Sequence, residues 1–146
     1  HDDMTSTIVS NWPARGFMLA GLVNIVGILV VTQGLQSPTL SSADPAVFSF
    51  FGLLMIMVWG LAYLAAAPFA SQSVAIPLVF AIEKLAYTVA WLLWRSNTTP
   101  ETLEAIVEND VLGGLFMSSY GINDGLFMVF FLAVAVVNYR RSRQRN

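Results

Sequence analysis

Glu83 and Lys84 stand side by side at the centre of an apolar stretch, Val74 to Arg95, that is long enough to cross a bilayer. A charge at the middle of a membrane helix costs between about 2.5 and about 17 kcal/mol, depending on how it is measured. Two adjacent charges therefore face inward, toward polar partners elsewhere in the chain or in a neighbouring subunit. The rest of the sequence must supply those partners.

Composition fits this setting. The chain is 56% hydrophobic and 11% charged, with a mean hydropathy of +0.67, against about 25% charged residues in soluble domains. Its 146 residues suffice for a single membrane domain of four spans with short connections. The formal charge of −2 includes Asp2 and Asp3. His1-Asp2-Asp3 is expected to be a tag remnant with Met4 as the start, and without it the charges balance. There is no cysteine, hence no disulfide, thiolate metal site or thiol nucleophile.

Four runs qualify as spans: about 16–34, 47–67, 74–95 and 115–139. Trp12 and Arg15 flank the first, which is too long for a cleavable signal. Ala20, Asn24, Gly27, Val31 and Gly34 recur along it at three- and four-residue steps, a mostly small face suited to close packing of membrane helices. Residues 35–46, rich in Ser and Pro, read as a loop. The second span carries no charge and reads as scaffold, ending at Pro68. Thr99 and Pro100 mark the start of a short amphipathic helix, about 100–112, which is expected to lie on the membrane surface and to break at Gly113-Gly114.

Arg140, Arg141, Arg143 and Arg145 follow the last span and place the C-terminus inside; with four spans the N-terminus is inside too, in agreement with Arg15. The expected fold is thus all-α, a four-transmembrane-helix bundle with both termini cytoplasmic and a short surface helix before the last span. A homo-oligomer is expected.

Counting along each span at 1.5 Å per residue places Asn24, Glu83 and Lys84 in one layer. Asp124, with Asn123 beside it, falls about 9 Å farther out, near Thr32, Gln33 and Trp91. Phe80, Lys84, Tyr87, Trp91 and Trp94 form a stripe on the third span, and Glu83 lies one turn from Tyr87, within hydrogen-bonding reach. The candidate ligand- or ion-binding residues are therefore Glu83, Lys84, Tyr87, Asn24, Asp124, Asn123 and Trp91. No nucleotide-binding, hydrolase or metalloprotease motif occurs, so no catalytic residue, metal ligand or cofactor is assigned. The basic tail is too short for a nucleic-acid surface.

The plan of FGLLMIMVWGLAYLAAAP, then AIEKLAYTVAWLLW, then INDGLFMVFFLAVAV is similar to small bacterial four-helix membrane proteins of the DoxX-like type. That resemblance implies a compact bundle in a bacterial inner membrane and supplies no catalytic residue. The chain is expected to hold a lipid or other small amphipathic molecule in a buried polar pocket. The alternatives are a proton- or cation-coupled transporter or channel, and a structural subunit of a membrane complex in which Glu83 and Lys84 pair across to a partner protein.

Overall fold

The computed structural model describes residues 11–146. The expected tag remnant and start site lie outside the described residues. In chain order the elements are α1 (Trp12–Val31), α2 (Thr39–Ala43), α3 (Pro45–Phe48), α4 (Phe50–Ala66), a 3₁₀ turn (Ala67–Phe69), α5 (Ala75–Ser96), α6 (Pro100–Asn109) and α7 (Val111–Gln144). Four of these, with α4 extended by its 3₁₀ turn, are long and apolar enough to cross a membrane. The protein is an integral, multi-pass membrane protein. Bulky apolar side chains such as Leu22, Val26, Leu61, Ile82 and Leu126 point outward, as lipid contact requires.

The bundle is two hairpins, α1 with α4 and α5 with α7. In the first, backbones approach at two glycines: a Cβ on Gly21 would lie 2.8 Å from the Gly60 carbonyl oxygen and 2.6 Å from Leu64. The packed face of α1 is thus Phe17, Ala20, Gly21, Asn24 and Ile28, not the expected line through Gly27 and Gly34. A Cβ on Gly27 would meet no neighbouring helix within 4 Å, and Gly34 sits at φ 72 in the turn after the helix. Thr32 and Gln33 also leave the expected polar layer. Thr32 accepts from Leu35 N–H and donates to Ile28 O, and Gln33 is exposed at φ 52, so both build the turn.

Helix ends depart from expectation for local reasons. Pro13 occupies the first turn of α1, where its missing N–H is harmless, so the helix begins at Trp12. The expected 35–46 loop instead folds into α2 and α3, each opened by a proline. Ser49 accepts from Gly52 N–H at 3.1 Å and restarts the chain as α4. Gly113 and Gly114 do not end a helix but lie in the first turn of α7, because α6 crosses there: a Cβ on Gly114 would be 2.5 Å from Val107 Cα. The α6 helix, with no buried residue, packs on α7, and Thr99 caps it through Thr102 N–H as its sequence implies.

Two ties hold the hairpins in register. At the end carrying the arginine tail, Asn138 donates to Ala70 O at 2.8 Å and Ser73 O at 2.7 Å. At the opposite, α6 end, Asp110 accepts from Thr39 at 2.8 Å, from Ser37 at 3.3 Å and from Gly113 N–H at 3.1 Å, so the α7 cap also anchors the first hairpin's loop. Trp94 donates to Ala43 O at 3.0 Å beside it.

The Gly113 N–H and the Thr39 hydroxyl hold the Asp110 carboxyl below its ordinary value of 3.8. Its contribution to stability is fully present above that value and is lost as pH falls through the lower folded value. Asp110→Ala is expected to lower stability by about 0.5–2 kcal/mol, the cost of a lost cap, and to flatten the acid limb of a pH–stability profile in detergent. Gly21→Ala should lower the thermal midpoint through its clash with Gly60, whereas Gly27→Ala should leave it unchanged or raise it. Equal effects at the two glycines would refute the packing assigned to α1.

Candidate functional site

The polar residues of three spans converge at mid-bundle. Lys84, 1% exposed, donates to Asp124 Oδ1 at 3.0 Å and to Asn24 Oδ1 at 3.1 Å. Asn24 in turn donates to the Ile56 carbonyl at 3.0 Å, so it fixes the lysine and joins α1 to α4. Asn123 donates to the same Asp124 oxygen at 3.3 Å. The ammonium also lies 5.3 Å from the Tyr63 ring centroid and 5.8 Å from that of Phe127, within cation–π range.

Asp124 therefore belongs to the same layer as Lys84, not to a second one farther out. The register fixed by Asn138 on Ser73 leaves the two backbones offset by about 4.5 Å along the axis, a gap the lysine stem spans. Counting missed this because it set Tyr139 level with Val74, whereas Asn138 lies level with Ser73, and because it left out the length of the lysine side chain.

Glu83 takes neither Lys84 nor Tyr87 as its hydrogen-bond partner. Its Oε2 accepts from the Tyr63 hydroxyl of α4. Its Oε1 is buried and has no partner among the described residues, and the same holds for the Tyr120 hydroxyl. Both residues line one cavity of about 210 Å³, bounded by Val23, Asn24, Gly27 and Ile28 of α1, Phe48 and Ile56, Lys84 and Tyr87, and Phe116 to Asp124 along one side of α7.

Aromatic rings close the cavity toward both ends. On the tail side Phe17, Tyr63, Phe80 and Phe131 interlock with centroids 4.8 to 5.7 Å apart. On the α6 side Phe48 stands edge-on to Tyr120 at 5.1 Å, and Phe116 stacks on Tyr120 at 5.3 Å. Sideways the cavity is less enclosed. Helices α1 and α7 meet at the tail end, where Trp12 and Phe17 touch Phe130. Farther along, Gly27 adds no side chain and Ser119 is exposed, so the mouth lies between these helices at bilayer depth.

Of the residues singled out from sequence, Glu83, Lys84, Tyr87, Asn24, Asp124 and Asn123 line the cavity. Trp91 does not; its indole donates to Met117 O at 2.9 Å and its ring covers Gly121, which makes it a clamp between α5 and α7. Tyr63 and Tyr120 were missed. Tyr120 stands four residues before Asp124, on the same helix face, and that spacing was the available signal. Tyr63 offered only a phenol within a chargeless span.

Comparison of the chain with family models, with curated proteins and with solved structures finds no match. The chemistry of the site is what speaks to function. Removing the ammonium would leave Asp124 buried without its counter-charge, so Lys84→Met is expected to destabilise the bundle by about 3–5 kcal/mol. Lys84→Met with Asp124→Leu should recover most of the loss in a double-mutant cycle of detergent unfolding. Additive losses would show that the pair does not couple.

Proposed function

We propose that the protein binds a small amphipathic molecule admitted from the bilayer between α1 and α7, with its polar head at Glu83 and Tyr120. The observation that carries this is the pair of unpartnered polar atoms, Glu83 Oε1 and the Tyr120 hydroxyl, on a cavity whose apolar walls are Val23, Ile28, Phe48, Ile56 and Phe116. Buried polar groups are rarely left without hydrogen bonds, and pockets for small molecules combine apolar walls with a few polar groups of this kind. A mouth at bilayer depth favours a ligand that partitions into lipid.

A continuous proton or cation path is less well supported, because the interlocked rings of Phe17, Tyr63, Phe80 and Phe131 stand between the site and the tail end. A purely structural role for Glu83 and Lys84 leaves Glu83 Oε1 unexplained. The arginines at the tail end, Arg15 included, against Arg95 alone at the other, support a cytoplasmic placement of both termini.

Nanodiscs carrying the protein should retain more tritiated dodecylamine, dodecanol or dodecanoate than empty discs, for at least one of the three probes. Gly27→Phe puts a ring into the mouth without disturbing a packed face, and should abolish that excess with little change in thermal midpoint. Equal retention of all three by filled and empty discs would overturn the proposal.

A further inference from the structure

The charges around Glu83 do not balance. Lys84, the chain's only lysine, is committed to Asp124 at 3.0 Å and to Asn24. The groups that face Glu83 are Tyr63 from α4, Lys84 and Tyr87 from its own helix, and Asp124 and Tyr120 from α7, with neutral Asn24 from α1. Two carboxylates therefore share one ammonium, and the cluster is complete only when it gains one positive charge. Glu83 is the place for it, since Asp124 already holds the lysine and Glu83 Oε1 faces the cavity bare.

We infer that the ligand is a monocationic amphiphile whose protonated amine head donates to Glu83 Oε1, and that this cation and a proton exclude one another at Glu83. The inference rests on the lateral-access pocket proposed above and adds the class of molecule that fills it. Three features of the site select for this class. The head has N–H donors for Glu83 Oε1 and for the Tyr120 oxygen. Its charge completes the cluster, which a neutral alcohol does not do and an anion opposes. Phe48, Phe116, Tyr87 and Tyr120 present aromatic surface around the cavity, an environment that suits an organic cation. The alkyl chain leaves between Gly27 and Ser119 into lipid.

Exclusion fixes the sign of the pH dependence. Where Glu83 carries its proton, an arriving amine must displace it, so affinity falls as pH is lowered. Where Glu83 is ionised, affinity is independent of pH. Only the cationic probe shows this behaviour.

The test compares dodecylamine, dodecanol and dodecanoate in nanodiscs at about pH 6 and about pH 8. Dodecylamine should bind about tenfold or more tighter than dodecanol at the higher pH, a margin typical of a charge-assisted contact. It should weaken at the lower pH. Glu83→Gln, which still accepts from Tyr63, should bring the amine to parity with the alcohol and remove its pH dependence. Dodecanol or dodecanoate binding as tightly as the amine to the unmodified protein would overturn the inference and leave the pocket standing. Retention of no probe at all would overturn the pocket itself. The probe ranking needs no variant, so it stands even if Glu83→Gln fails to fold.

Discussion

The ion pair between Lys84 and Asp124 is the constraint to which the bundle is fitted. In hydrocarbon neither charge has an acceptable alternative to the other, so α5 and α7 must bring them together. Asn24 extends the condition to the first hairpin: its side-chain oxygen accepts from Lys84 while its amide donates to the Ile56 carbonyl. One buried ammonium thereby fixes the relative placement of α1, α4, α5 and α7. Polar specification of this kind suits a membrane protein, because lipid chains are as apolar as the faces to be packed and burial alone cannot set register.

Glycines make that placement possible without themselves being polar. Gly21 and Gly60 let α1 and α4 come close enough for Asn24 to reach a backbone carbonyl, and Gly114 lets α6 lie across the start of α7. Gly27 belongs to a different set. It stands over open space, and its lack of a side chain leaves a mouth rather than a contact. From sequence all these glycines look alike, as small residues at helical spacing; only the position of the neighbouring helix separates a packing glycine from a gap.

The same distinction explains how much was legible beforehand. Four spans, the capped surface helix and six residues of the polar cavity follow from hydropathy, capping residues and the cost of charge in lipid, since these are local properties. Axial depth was legible only to within a helical turn, because span ends are set by neighbours. Asp124 joined the Lys84 layer once the contact of Asn138 with Ser73 set the register of α7 against α5. Tyr63 was invisible for a related reason: a phenol in an apolar span becomes a partner only when α4 is placed against α5.

Adjacency of Glu83 and Lys84 in sequence invites the idea of a pair, and helical geometry argues against it. Successive residues on a helix point about 100° apart, so the two side chains are directed at different neighbours. Lys84 finds the carboxylate of α7, and Glu83 finds the phenol of α4. The consequence is a division of roles between neighbours in the chain. The lysine is spent on architecture, and the glutamate is left with a buried oxygen that no described residue partners. A chain that needed only a structural ion pair at this depth would require one carboxylate; the second one, facing a cavity that opens toward lipid, is the feature that architecture alone does not account for.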